Sequence, residues 1–83
     1  MSLVQEVSCQ FSVYPLGVAD LGGGIDAALA AVRRHGLQVE AGAMSSTMAG
    51  PSDDVFAALH DAFEAAAAGG CVLVATVSNA CPT

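Results

Sequence analysis

Positive charge is nearly absent from this 83-residue sequence. Its two Lys or Arg residues are the adjacent pair Arg33 and Arg34, and they stand against eight Asp or Glu, which gives a formal net charge of −6 at pH 7. Binding to a phosphate backbone relies on clustered Lys and Arg side chains. The sequence therefore predicts no nucleic-acid partner, and its acidic field would instead favour a cationic ligand.

Cysteine is scarce, and no CxxC or CxxxC pair occurs. The three cysteines, Cys9, Cys71 and Cys81, are odd in number and widely spaced. Structural zinc sites and the disulfide frameworks of small proteins need closely spaced or paired cysteines. We therefore expect no metal and no disulfide, with Cys9 and Cys71 serving as small apolar residues inside strands.

No uninterrupted apolar segment is long enough to cross a membrane. The longest apolar region, Ala62 to Val77, is broken by Glu64 and by the pair Gly69-Gly70, whereas a spanning helix needs about 20 apolar residues. The N-terminus also lacks the basic start and the apolar stretch of a signal peptide. These features predict a cytoplasmic protein without membrane insertion.

What the sequence does have is apolar content, since hydrophobic residues make up 54% of it and charged residues only 12%. A chain of this length forms one small domain, residues 1–83, whose core stabilises it only marginally. The excess of apolar side chains therefore predicts a surface buried between copies, in a homodimer or a higher homo-oligomer.

The first half of the chain alternates between strand and helix patterns. Residues 5 to 14 alternate in polarity up to Pro15, which predicts a strand that ends at the proline. The segment from Gly17 to Gly24 is interpreted as a loop in which Asp20 could cap a helix. Apolar residues then recur at helical spacing from Leu21 to Val32, and Gly36 is well placed to end that helix.

The second half predicts two short strands, a helix and a final strand. The short strands cover residues 37 to 42 and residues 44 to 49. Pro51 and Ser52 are predicted to open a helix with two acidic residues in its first turn. The apolar stripe of this helix is assigned to Phe56, Leu59, Phe63 and Ala66 or Ala67. Valine-rich residues 71 to 78 then predict the last strand.

The order β-α-β-β-α-β predicts an α+β, ferredoxin-like fold. We expect a four-stranded antiparallel sheet with the first and third strands in the centre and both helices on one face. If the side of the first strand that carries Phe11 packs under the helices, the other side presents Ser12 and Tyr14. Such a bare face is expected to pair face to face with a second copy or to be used for binding.

Few residues of the sequence match a known catalytic, metal-binding or phosphate-binding motif. The Gly22-Gly23-Gly24 run lacks the spacing and the lysine of a phosphate-binding loop, and His60 with Glu64 forms only a solvated helix face. Ser45, Ser46 and Thr47 present a hydroxyl whichever face of their strand is exposed. The pattern therefore favours a small-molecule binding module, and no catalytic group is assigned.

Five short motifs, taken in this order, resemble the YkoF-like family. They are spread over nearly the whole sequence: Phe11–Leu16 (F-S-x-Y-P-[LM]), Asp20-Leu21, Ser45-Ser46 with Gly50, Asp53–Ala58 (D-x-V-F-x-A) and Ser78–Pro82 (S-x-[GA]-C-P). Ser46 and Ala80 stand where relatives carry Thr and Gly. The sequence also holds one repeat where family members often hold two, so a homodimer would replace the tandem pair.

The resemblance implies a non-enzymatic protein that binds thiamine or its hydroxymethylpyrimidine precursor. Its role would be in precursor uptake or salvage, linked to a vitamin transporter, with no further cofactor. The expected ligand-binding residues are Ser12, Tyr14, Asp20, Ser45, Ser46 and Asn79. In this interpretation the hydroxyls hold the pyrimidine and Asp20 pairs with the aminopyrimidine or the thiazolium charge.

Two alternatives stay open on the sequence. The same fold could serve as a regulatory or assembly module that binds another small metabolite, since fold does not determine function. Cys81 could act as the nucleophile of an enzyme, although no activating base lies near it in sequence. Asp20 is equally well explained as a helix cap or as a ligand contact.

Overall fold

The computed structural model describes residues 5–16, 21–42, 45–66 and 70–80. These residues form six elements in the predicted order β-α-β-β-α-β. No helix among them is long and apolar enough to span a bilayer. The elements are β1 (Glu6–Pro15), α1 (Leu21–Arg33), β2 (Gln38–Ala41), β3 (Ser46–Pro51), α2 (Ser52–Ala66) and β4 (Cys71–Ser78).

The four strands form one antiparallel sheet in the order β2-β3-β1-β4. The prediction that the first and third strands are central is confirmed. In β1 the alternation of the sequence sets the two faces: Cys9 and Phe11 are buried, whereas Gln10 and Tyr14 are exposed. Because directly opposite residues of an antiparallel pair share a face, the register carries this division across the whole sheet.

The core lies between the sheet and the two helices. Phe11, Val32 and Val55 are its largest fully buried side chains, one from the sheet and one from each helix. Buried alanines fill the helix contacts and let the helices pack closely. The buried cluster comprises Val7, Cys9, Phe11, Ala28, Leu29, Val32, Met48, Val55, Ala58, Leu59, Ala62 and Ala66.

Two predicted boundaries are corrected by the structure. The segment from Gly17 to Gly24 is not a loop throughout, because α1 already begins at Leu21 and contains Gly22–Gly24. Ala28, Leu29 and Val32 further along α1 pack into the core, and this packing offsets the low helix propensity of the glycines. The third strand runs over Ser46–Pro51 rather than residues 44 to 49, so Pro51 ends β3 and α2 begins at Ser52.

The apolar stripe of α2 is also corrected. Phe56 is 57% exposed and Phe63 is 42% exposed, whereas Leu59 and Ala66 are buried as predicted. The buried face is rotated towards Val55, Ala58 and Ala62. Small side chains occupy the contact because two helices must lie close together over a sheet of only four strands.

Gly36 ends α1 as the sequence predicts. Its φ is +73°, in the left-handed region that glycine enters without steric cost. The Gly36 amide donates to the Arg33 carbonyl oxygen (3.0 Å). The chain is thereby turned from α1 into β2.

Candidate functional site

A cavity of about 280 Å³ opens between the end of β1, the first half of α1 and the turn that joins β2 to β3. The pairing of β1 with β3 ends at Phe11 opposite Ser46, whereas β1 itself continues to Pro15. The cavity lies beside this part of β1, which extends beyond β3. Its lining residues are Phe11, Ser12, Val13, Tyr14, Ile25, Ala28, Leu29, Gly42, Ser45 and Ser46.

The inner walls of the cavity are apolar. Phe11 and Val13 come from the helix-covered face of β1, and Ala28 and Leu29 come from the buried side of α1. Ile25 lies one turn earlier on α1 and is 39% exposed. Ile25 belongs to the apolar pattern predicted between Leu21 and Val32, and in the structure it forms a partly open wall of the cavity, which suits contact with a flat ring.

The hydroxyl groups of β3 divide between the two faces of the sheet. Ser46 pairs with Phe11 and therefore lies on the helix-covered face, inside the cavity, whereas Thr47 pairs with Gln10 on the open face. Ser45 lies at the rim, where its Oγ accepts a hydrogen bond from Gln10 Nε2 (2.9 Å). A ligand in the cavity would therefore meet Ser46 before Thr47.

Close backbone contacts bring the three parts of the site together. The Gly42 amide donates to the Ser45 carbonyl oxygen (2.9 Å), which closes the turn between β2 and β3. A Cβ at Gly24 would lie 2.8 Å from Cγ of Pro15. Only glycine therefore lets the start of α1 approach the end of β1 this closely without a shift.

Four of the six predicted ligand-binding residues are brought together at this cavity: Ser12, Tyr14, Ser45 and Ser46. Ser12 and Tyr14 alternate with Phe11 and Val13, so their side chains belong to the open face of the sheet and the two residues border the cavity from the end of β1. Asp20 lies outside the described residues, and its assignment stays a prediction.

Asn79 is not brought to the cavity. Its Nδ2 donates to Oε1 of Gln5 (2.8 Å) at the other end of the sheet, beside a separate cleft that includes Phe56 and Val77. Ser78 pairs with Ser8, and three to six residues along β1 separate that pair from the cavity residues Phe11 to Tyr14, roughly 10–20 Å. A role for Asn79 in the same ligand site is therefore not supported by its position.

A cluster of two histidines and an aspartate links the helices and was missed from the sequence. His35 Nε2, just after α1, lies 2.7 Å from Asp61 Oδ2 of α2, and His60 Nδ1 lies 3.4 Å from Asp61 Oδ1. Hydrogen bonds from His35 and then from His60 lower the pKa of the Asp61 carboxyl. Residues 26 positions apart give no spacing signal, so the contact between His35 and Asp61 could not be predicted from the sequence.

Cys81, the cysteine considered as a nucleophile, lies outside the described residues. Within residues 5–16, 21–42, 45–66 and 70–80, no three His, Cys, Asp or Glu side chains group as a metal site would. His60 and Glu64 share a helix face with 3.8 Å between Nε2 and Oε1, and both are exposed. Burial raises the pKa of the Cys9 thiol, which disfavours its reactive thiolate form.

The sequence also matches a known family over almost all of its length. The model of the YkoF-related family covers residues 6–83, from the first residue of β1 onwards. The chain belongs to the YkoF-related family. The resemblance seen in the five short motifs is thereby confirmed, whereas no curated protein matches the chain.

Solved structures share the fold of this YkoF-related chain. A domain of unknown function (DUF77) from Bacillus cereus is 28% identical, with a TM-score of 0.81 over 90% of this chain and 76% of that one. A hypothetical protein from Methanocaldococcus jannascii is 22% identical, with a TM-score of 0.82 over 90% of this chain and 80% of that one.

A third structure comes from Thermotoga maritima and is named for a proposed role in thiamine biosynthesis or salvage. It is 21% identical to this chain, with a TM-score of 0.73 over 87% of this chain and 81% of that one. Together these likenesses confirm the ferredoxin-like fold.

Proposed function

We propose that this YkoF-related chain binds thiamine or its hydroxymethylpyrimidine precursor, without transforming it, in the cavity between β1, α1 and the β2–β3 turn. The observation that carries the proposal is the composition of the cavity. Apolar walls from β1 and α1 meet Ser46 on the helix-covered face, and Ser12, Tyr14 and Ser45 border the opening.

This composition suits an aminopyrimidine. The ring nitrogens of an aminopyrimidine accept hydrogen bonds and its amino group donates them, and a serine hydroxyl can do both. The ring itself is flat and would lie against Ile25 and Leu29. The site thus offers specific polar contacts at one end and apolar burial at the other, as small-molecule pockets generally do.

The size of the cavity favours a small ligand. Its volume of about 280 Å³ lies just below the range for small-molecule pockets, roughly 300–1,000 Å³. The precursor would fit within it, and thiamine would extend its thiazolium end past the rim. A positive charge at that end is compatible with a chain of net charge −6.

The relatives support the same ligand class. The family match covers the elements that build the cavity, and the Thermotoga maritima neighbour carries a name tied to thiamine. A role in precursor uptake or salvage, acting with a vitamin transporter, is the corresponding cellular proposal.

The residues at the cavity support binding rather than catalysis. Among the described residues that line it, none is a histidine, a carboxylate or a cysteine, so the lining lacks a general base to activate a serine hydroxyl. Asp20 could still add a carboxylate contact to the thiazolium or to the amino group, and that role stays a prediction.

Two neighbouring substitutions on β3 test the proposal. Calorimetric titration should show that the parent binds thiamine or hydroxymethylpyrimidine, and that Ser46→Ala weakens the affinity roughly two- to tenfold, the usual worth of one neutral hydrogen bond. Thr47→Ala is the matched control, because it removes a hydroxyl one residue away on the opposite face of the sheet. Its affinity should equal that of the parent.

Failure of the parent to bind either compound at millimolar concentration would overturn the ligand assignment. A screen of other small metabolites by thermal shift would then test the alternative of a regulatory or assembly module. Binding that Thr47→Ala weakens and Ser46→Ala leaves intact would place the ligand on the open face of the sheet.

A further inference from the structure

One side of α2 carries two exposed aromatic side chains in a line. Phe56 and Phe63 are both exposed, and about two helical turns separate them, so they lie on the same side of the helix. Phe56 also borders a cleft of about 400 Å³ that contains Val7 and Val77. Single exposed apolar side chains are common on protein surfaces, whereas an aligned aromatic pair beside a cleft is more typical of an interaction surface.

Acidic side chains lie at both ends of this aromatic line. Asp53 precedes Phe56 by about one turn, and Glu64 directly follows Phe63; both carboxylates are exposed. The helix rises about 1.5 Å per residue, so Asp53 and Glu64 are roughly 16 Å apart along its axis. An apolar centre with a polar rim is the usual arrangement of a protein–protein contact. We call Asp53, Phe56, Phe63 and Glu64 the α2 surface.

The charge of Glu64 is not explained by the stability of α2. Asp53 lies in the first turn of the helix, where a carboxylate suits the helix dipole, but Glu64 lies in the last turn, where a carboxylate is unfavourable. Within the described ranges, the ion pairs of α2 involve only the histidines His35 and His60. His60 lies 3.8 Å from Glu64 and both are exposed, so their contact is weak. Glu64 is therefore accessible to a basic group of a partner.

We propose that the α2 surface binds a basic amphipathic helix of another protein. An apolar side chain of that helix would enter the cleft beside Phe56, and further apolar side chains would cover Phe63. Its Lys or Arg side chains would reach Asp53 and Glu64 at the two ends, where opposite charges accelerate the encounter and fix the register. The contact goes beyond the function proposed above, because no described residue of α2 lines the ligand cavity.

Charge favours this partner over the others that an exposed helix face could bind. A second copy has a net charge of −6, and its two Lys or Arg residues, Arg33 and Arg34, are adjacent. It therefore cannot supply basic groups roughly 16 Å apart. Nucleic acids and anionic membranes are negatively charged, so acidic side chains repel them. A helix with Lys or Arg at both ends of an apolar stripe is the partner that matches the α2 surface.

Calorimetric titration with a synthetic peptide tests the proposal. The peptide has about 18 residues of leucine and lysine, patterned as an amphipathic helix, and the salt is about 0.15 M. The parent should bind it, whereas the same peptide with glutamate in place of lysine should not bind, because it would bring like charges to Asp53 and Glu64. Phe56→Ala should weaken the affinity at least about fivefold, the usual loss on truncating an interface anchor. Glu64→Gln should weaken it roughly two- to fivefold.

Two substitutions away from α2 are the matched controls. Glu40→Gln removes an exposed carboxylate from β2. Val74→Ala removes exposed apolar atoms from the open face of the sheet, where Val74 pairs with Ser12. Both variants should bind the lysine peptide as the parent does. In the parent, the amide shift changes caused by the peptide should centre on residues 53–64 and on the cleft beside Phe56.

Absence of binding to the lysine peptide at about 0.1 mM would overturn the proposal. So would equal binding of the glutamate peptide, or an unchanged affinity in Phe56→Ala. A loss in Glu40→Gln as large as that in Glu64→Gln would also overturn it, because the attraction would then be to the net charge alone. Circular dichroism checks that the variants fold. If Phe56→Ala does not fold, the amide shifts of the parent decide, and changes centred outside α2 and its cleft would refute the site.

Discussion

At the scale of single residues, one step along β3 separates a cavity residue from a surface residue. Ser46 lies beside Phe11 on the helix-covered face, and Thr47 lies beside Gln10 on the open face. Side chains alternate with a period of two in a strand, so a shift of one residue would exchange them. The candidate site therefore depends on the register of β3, which the Cys9–Met48 pair anchors in the core.

The contact between His35 and Asp61 should make stability depend on pH. The pKa of Asp61 is lowered in the folded chain, so the contribution of its charge is complete above the ordinary carboxyl pKa of about 3.9. That contribution is lost as the pH falls through the lower folded-state value. Asp61→Asn should therefore melt below the parent at about pH 6, and the difference should shrink towards about pH 2.

The matched control for Asp61 is Asp26→Asn, which removes an exposed carboxylate from α1. Its melting temperature should follow that of the parent over the same pH range. A constant gap between Asp61→Asn and the parent at every pH would contradict an electrostatic role for the Asp61 carboxylate.

At the scale of elements, the sequence predicted the kind and order of the helices and strands but not the rotation of α2. The segment from Val55 to Ala66 holds apolar residues on two overlapping stripes, and hydrophobicity alone favours the one with the phenylalanines. The structure buries alanines instead, because close packing of α2 against α1 and the sheet leaves room for small side chains only. That choice depends on tertiary packing, which no local pattern contains.

Some residues of the candidate site could be predicted from local sequence patterns, whereas others depend on how the helices and strands pack together. Ser12, Tyr14, Ser45 and Ser46 could be predicted because strand ends and hydroxyl runs are local signals. Ile25 and Leu29 could not be assigned to the cavity, since their role depends on where α1 crosses the end of β1. Asn79 was grouped with the others as an amide at the end of the last strand, and the antiparallel direction of β4 carries it to the far end of the sheet.

The end of α1 provides a test at the element scale. Gly36 has a φ of +73°, and no atom lies within 4 Å of the position that a Cβ would take. Gly36→Ala should therefore cost only the backbone penalty of the left-handed region, about 1–2 kcal/mol of unfolding free energy. Gly36→Asn should cost less, because asparagine tolerates this conformation. Equal denaturation midpoints for parent and Gly36→Ala would refute this account of the cap.

At the scale of the whole molecule, the proposed ligand cavity lies at one end of the sheet, near Ser46, where α1 crosses the end of β1. Its position follows from a sheet of four strands covered by helices on one side. A small domain of this kind gains stability from association with other copies, which the high apolar content of the sequence also predicts.

The central claim is that the ligand occupies this cavity, and an NMR titration of the isotope-labelled chain with hydroxymethylpyrimidine, and then with thiamine, tests it most directly. Saturable amide shift changes should centre on Val13, Ile25, Leu29, Gly42 and Ser46, which surround the cavity. Shifts centred instead on the cleft formed by Phe56, Val77 and Asn79 or on the open face of the sheet, or no saturable shifts with either compound, would contradict it.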